Sequence, residues 1–177
     1  MEIVLVVMVV FSFAVVGWLA IAQSGEPPAR GMAAPALSLP GSDGEAHPLP
    51  PPPGSRAVLF FHPQDETPEC VAMVERFSAA APAIAAAGAS LWTVVVSSRE
   101  TAVAYAGAHG RDLRVLCDAN GRAAKAYGAL VNLGFLKFAR KLIVLVDERG
   151  NVERAWRDTV EPGHVDELLA ALAQPSR

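Results

Sequence analysis

Cysteine is scarce in this chain: its 177 residues include only Cys70 and Cys117, and no C-x-x-C occurs. Two thiols cannot build a disulfide framework, and without that paired spacing neither a zinc ribbon nor a dithiol oxidoreductase site is available. Histidine is sparse as well. His47, His62, His109 and His164 show no ligand spacing, so no metal and no other cofactor is expected. Charge of one sign is also lacking: 15 Lys and Arg against 18 Asp and Glu leave a net charge of −3, with the basic residues scattered. That excludes the electrostatic footprint of a nucleic-acid partner. No basic residue precedes the first apolar run, and Glu2 is the only early charge.

That run, 3–22, is twenty residues long and broken only by Ser12 and Gly17. At about 1.5 Å per helical residue it matches the bilayer core, so residues 1–22 are read as one N-terminal transmembrane helix, an anchor or uncleaved signal. A cleaved signal, with Ala20-Ile21-Ala22 as its cleavage site, and a buried core helix are the competing readings. The expected location is therefore a single-pass membrane protein. Arg30, the first basic residue, lies well past the span, and positive-inside logic leans toward a cytoplasmic domain. Residues 23–34 are small, polar and rich in Gly and Pro, which reads as a flexible linker; 35–174 then form one domain with a full-sized core.

Within that domain the apolar stretch 57–61 reads as a buried strand ending at His62. The loop Pro63-Gln64-Asp65-Glu66-Thr67 follows, and then a helix whose first turn holds Cys70. Thr67 is a good N-cap, Pro68 suits the first helical position, and Glu69 favours the positive end of the dipole. Cys70 is the third helical residue, where unpaired N–H groups and the dipole favour a thiolate, so an acidic, nucleophilic cysteine is expected. The plain alternative is a small packed residue. His62, at the end of a strand, is read as structural rather than as a base.

The remaining elements follow from periodicity. A turn at Gly41-Ser42-Asp43-Gly44 makes a hairpin of the segments around it, and the prolines at 50–53 form an exposed connection. The helix from 68 is expected to run to about 81, with Pro82 kinking or restarting it and Gly88 ending it. Runs 91–96 and 142–146 are strands buried on both faces, with a helix capped by Ser97 or Ser98 after the first of them. Segment 113–116 is a short strand, 123–127 a short helix, 152–156 the second arm of a hairpin, and Val165, Leu168, Leu169 and Leu172 one face of a last helix. Strands alternating with helices, then a hairpin and a helix, specify an α/β three-layer sandwich with a mixed central sheet.

The pattern P-x-x-x-T-x-x-C, carried by Pro63, Thr67 and Cys70, resembles the active-site loop of peroxiredoxins, and the element order resembles their thioredoxin-like fold. Three further stretches are similar to the bacterioferritin-comigratory, PrxQ-like branch: Cys117-Asp118-Ala119-Asn120-Gly121 with Ala124-Lys125-Ala126-Tyr127-Gly128, Leu145-Val146-Asp147 with Gly150, and Pro162-Gly163-His164. The resemblance spans 35–172. It implies a thiol peroxidase that reduces hydrogen peroxide or organic hydroperoxides through a sulfenic acid on Cys70. It also implies that the Thr67 hydroxyl orients the peroxide and that Pro63 shields the sulfur.

Two positions depart from the family pattern. Where the family places an arginine six residues before the strand-ending aspartate, Asp147 here, this chain has Lys141. Arg140, one residue earlier, is an alternative cation only if a bulge turns it to the same face. Lysine keeps the charge but not the planar donor fork, which implies slower turnover. The resolving position five residues after Cys70 is Glu75, which leaves Cys117 as a possible resolving cysteine or a packed small residue. A one-cysteine cycle with an external thiol reductant, thioredoxin-like or of low molecular weight, is expected. Two other readings compete: a weakened redoxin that senses or scaffolds, and a membrane-tethered thioredoxin-like thiol-disulfide protein. The absent second thiol opposes the latter, because Thr67 stands where C-x-x-C would begin.

Overall fold

The chain runs β1 (Leu37–Pro40), β2 (Ala46–Leu49), β3 (Arg56–Phe61), α1 (Pro68–Ala86), β4 (Ala89–Val95), α2 (Arg99–His109) and β5 (Val115–Cys117). It continues through α3 (Arg122–Ala126), β6 (Leu130–Asn132), β7 (Lys137–Ala139), β8 (Leu142–Val146), β9 (Val152–Arg157) and α4 (Gly163–Leu172). This is a computed structural model, and it describes residues 6–8, 11–12, 15, 25–110, 113–157, 161 and 163–174.

The central sheet has the order β5-β4-β3-β8-β9. β3, β4 and β5 are parallel, as βαβ crossovers require, while β8 and β9 run antiparallel to their neighbours. Strand alternation sorts the core into two layers. Val58, Phe60, Ile143 and Leu145 face one side, packed with Met73, Val74, Phe77 and Ile84 of α1, Ala102 and Tyr105 of α2, and Val165, Leu168 and Leu172 of α4. Ala57, Leu59, Phe61, Leu142 and Val144 face the other, against Ala123, Ala124 and Tyr127 and the β1–β2 hairpin residues Leu39 and Leu49. The result is a three-layer α/β sandwich around a mixed sheet.

Helix α1 continues through Pro82 to Ala86 without a break near 81 and stops just before Gly88, the residue expected to end it. A proline inside a helix removes a backbone hydrogen bond at a cost of about 3 kcal/mol, and burial of Ala80 and Ile84 on either side of it offsets that cost. The β6–β7 hairpin has no counterpart among the sequence-based elements. Each arm is three residues long, and the tip exposes Phe135 and Leu136 where turn chemistry leads one to expect polar groups.

The expected N-terminal transmembrane helix is corrected. Among the described residues no helix is long and apolar enough to cross a membrane, so the single-pass location derived from that helix falls with it. A charge-free apolar run is necessary for a span, but a span also needs about 20 continuous helical residues. Most of 3–22 lies outside the described residues.

Residues 25–34, expected to be flexible, form a strap along the outer edge of β9. Gly31 N–H donates to Val152 O at 2.8 Å, Val152 N–H to Met32 O at 2.8 Å, and Ala34 N–H to Gly150 O at 2.9 Å. Glu26 pairs with Arg157 at 2.7 Å, and Tyr127 hydroxyl reaches Pro35 O at 2.9 Å. An edge strand that would otherwise offer unpaired groups is thereby covered. Gly128, at φ +72°, is where the strap passes closest: a Cβ there would lie 2.5 Å from the Glu26 carbonyl carbon.

Candidate active site

The site lies at the C-terminal end of β3, where the strand gives way to the loop before α1. Thr67 caps that helix as the sequence predicts. Its extended backbone lets the hydroxyl oxygen accept from Cys70 N–H at 3.3 Å, while its carbonyl accepts the same N–H at 3.0 Å. The Cys70 N–H is thus engaged by the cap. The Thr67 hydroxyl donates in turn to Asp65 Oδ1 at 2.7 Å, and Thr67 N–H lies 3.3 Å from the same oxygen. Asp65 therefore closes an Asx-type turn under the loop.

Cys70 Sγ is wholly buried. It donates to Pro63 O at 2.9 Å and stands 3.6 Å from the Tyr105 hydroxyl of α2. Tyr105 hydroxyl also donates to Asp65 O at 3.2 Å. The expected acidity of the thiol is corrected by this geometry. Burial pushes the Cys70 thiol above its ordinary value, the nearby Asp65 charge adds to the rise, and the Tyr105 hydroxyl opposes it. A thiol that donates to a carbonyl is also stabilised in its neutral form. None of these groups is visible in a local reading of Thr67 to Cys70.

His62 is fully buried, and desolvation pushes its pKa down to about 4. As neutral imidazole its Nδ1–H donates to Pro63 O at 2.8 Å, so one carbonyl collects both the histidine and the thiol. The ring stacks on Phe60 with centroids 4.8 Å apart and tilts against Tyr105 at 5.8 Å. Histidine here anchors the loop.

Lys141 and Arg140 both lie in the link between β7 and β8, half-buried, so strand alternation does not govern which of them faces the site. Lys141 bears electrostatically on Asp65 and His62. Burial works against the Asp65 carboxylate, yet the Thr67 hydroxyl, the Cys70 thiol and the Lys141 charge together hold its pKa below the ordinary value. Arg140 N–H donates to Ala129 O at 2.8 Å. The register irregularity of the β8–β9 pairing lies between Leu145 and Val146, not at Arg140.

Cys117 ends β5, opposite Val95 of β4, and is buried in the helical-side core. Burial raises its thiol pKa too. In the sheet order it stands on the far side of β4 from β3, and neither cysteine is in a disulfide.

The structure thus brings Pro63, Thr67 and Cys70 together, with the Lys141 charge bearing on Asp65, and places Cys117 at the end of β5, in the same core cluster as Tyr105. Sequence reasoning missed Tyr105 and Asp65. Both left a signal: Ala102 and Tyr105 share helical i, i+3 spacing toward the sheet, and Asp65-x-Thr67 has the spacing of an Asx turn.

A model described as the AhpC/TSA family matches residues 31–155. Peroxiredoxin Bcp of Xanthomonas campestris pv. campestris is 30% identical over 124 residues, which cover 67% of this chain and 77% of that protein. The crystal structure of peroxidoxin BcpB from Mycobacterium tuberculosis matches with a TM-score of 0.75 at 22% identity, over 84% of this chain and 97% of that one, a likeness of fold. Xanthomonas campestris peroxiredoxin Q matches with a TM-score of 0.72 at 26% identity, over 84% of this chain and 99% of its own. The α/β sandwich is accordingly of the thioredoxin-like kind.

Proposed function

The chain belongs to the AhpC/TSA family as a bacterioferritin-comigratory, PrxQ-like peroxiredoxin and is a thiol-dependent peroxidase, and we propose that Cys70 is its peroxidatic residue. What supports this is that Sγ is held by Pro63, and its own backbone N–H by Thr67, at the capped start of α1.

In the reaction, the Cys70 thiolate attacks one peroxide oxygen. The S–O bond forms as the O–O bond breaks, sulfur is oxidised to the sulfenic acid and the peroxide is reduced. The departing oxygen takes a proton from solvent and leaves as water or an alcohol. The Thr67 oxygen, which accepts from Cys70 N–H and donates to Asp65, keeps a second lone pair for the peroxide O–H. Asp65, held below its ordinary pKa by the bonds from Thr67 and Cys70 and by the Lys141 charge, fixes the direction of the Thr67 hydroxyl. Because Sγ is covered in the reduced thiol, the groups over it must shift before peroxide arrives, and the reaction is slower than at an open thiolate.

The cycle closes without Cys117. An external thiol attacks the sulfenic sulfur, water leaves, a mixed disulfide forms, and a second thiol releases Cys70 with one external disulfide as product. A bridge to Cys117 would require two buried thiols, one at the start of α1 and one at the end of β5, to come within disulfide reach.

The test is one equivalent of hydrogen peroxide in the presence of a sulfenic-acid-selective nucleophile, with adducts mapped by peptide mass spectrometry. The adduct is expected on Cys70, forming several-fold more slowly in Lys141→Ala. An adduct confined to Cys117 would overturn the assignment, and an intramolecular Cys70–Cys117 disulfide would overturn the one-cysteine cycle.

A further inference from the structure

The Tyr105 hydroxyl sits between two acceptors, Cys70 Sγ at 3.6 Å and the Asp65 carbonyl at 3.2 Å. We propose that Tyr105 is a switchable hydrogen-bond donor for Cys70: it donates to Asp65 O while the sulfur is a thiol and turns to Sγ when the thiol ionises, so that a neutral phenol supports the thiolate.

Three observations carry this. The first is electrostatic need. In the reduced state Sγ–H donates to Pro63 O, a carbonyl that cannot donate back once the proton has left for solvent, and the neighbouring Asp65 carboxylate repels a thiolate. An ionised sulfur has the Asp65 backbone N–H as one donor, and a further donor is needed to offset burial and the nearby carboxylate. Cys70 N–H is taken by Thr67, and Lys141 bears on Asp65 and His62.

The second is placement. Tyr105 is buried in α2 with its ring set between His62 and His109, at centroid distances of 5.8 Å and 4.9 Å. His109 is itself paired with Glu66 of the cysteine loop at 2.9 Å. The ring is thus fixed from both sides, and only a rotation of the O–H bond separates the two arrangements. The third is availability. Burial holds the phenol well above its ordinary pKa, so it keeps its proton throughout the range in which a cysteine titrates.

The proposal deepens the peroxidase reading, since it concerns the sulfur that reading assigns. Its tests use no peroxide, so failure of one does not imply failure of the other. In the full chain, the rate of Cys70 alkylation by iodoacetamide, followed by peptide mass spectrometry from pH 6 to 11, reports the ionisation midpoint. For Tyr105→Phe, which keeps the ring, the midpoint is expected to rise by about one pH unit and alkylation at pH 7 to slow about tenfold, with the high-pH plateau kept within about threefold. An unchanged midpoint overturns the proposal. A second measurement uses the unaltered protein: with ¹³Cζ-labelled tyrosine, the Tyr105 resonance is expected to move at the Cys70 midpoint while that of Tyr127 stays put. A Tyr105 signal indifferent to Cys70 ionisation overturns the proposal as well.

Discussion

At the scale of the residue, the decisive feature is that Pro63 O serves two donors, Cys70 Sγ–H and His62 Nδ1–H. Burial is what favours the neutral histidine, against the bond to Pro63 O, which the cation could also make, and the ring stacks on Phe60. A pH dependence of stability follows. His62 has a folded-state pKa of about 4 against an ordinary 6.5, so between those values the unfolded chain binds the proton and the folded one does not. The stability it contributes is complete above about pH 6.5 and is lost as pH falls toward 4, about 2 kcal/mol of it by pH 5. Denaturant melts at pH 7 and pH 5 check this: the native chain is expected to lose about 2 kcal/mol more than His62→Phe. Equal losses would remove His62 from the account. This residue's position at a strand end was readable in advance. Its ionisation state was not, because that depends on Tyr105 and Phe60 closing over it.

At the scale of the element, β3 carries the site at one end and a buried charge at the other. Arg56, 5% exposed, donates to both Glu153 oxygens at 2.8 and 2.9 Å through Nη2, and to the carbonyls of Ala171, Leu172 and Gln174. It joins β3, β9 and the end of α4, donating to the carbonyls of Leu172 and Gln174 and sharing that of Ala171 with Gln174 N–H. Removing one member of such a set leaves an uncompensated buried charge. Arg56→Met is therefore expected to cost about 3–5 kcal/mol in urea unfolding, and Arg56→Met with Glu153→Leu markedly less. A double variant no better than the single one would contradict the pairing.

Elements of this size differ in how plainly the sequence announces them. β3 beyond Arg56 is a run of aliphatic and aromatic residues, β4 and β8 are apolar and rich in β-branched residues, and Ser98 caps α2 through Thr101 N–H at 3.3 Å as its sequence suggests. β6 and β7 are three residues each and exist because they pair with one another. Such short arms carry no period to read.

At the scale of the whole molecule, order along the chain was enough to derive the layered sandwich, since parallel strands need crossovers and both sheet faces need covering. The strap was not legible in the same way. Glycine and proline in 25–34 describe local freedom, whereas the bonds from Gly31 and Ala34 to β9 arise from what the sheet edge lacks. The 3–22 run taught the same lesson, for an apolar composition was read as a spanning helix that the described residues do not provide. Cys70 combines both cases. Its loop and cap followed from Pro63, Thr67 and Pro68, but its burial depends on Tyr105, 35 residues away in the chain.

The most direct measurement is steady-state peroxide consumption with a thiol reductant, comparing the native chain with Cys70→Ser and Cys117→Ser. Turnover is expected to vanish in Cys70→Ser and to persist within about twofold in Cys117→Ser, as a catalytic nucleophile and a packed thiol respectively require. Continued turnover by Cys70→Ser would contradict the account.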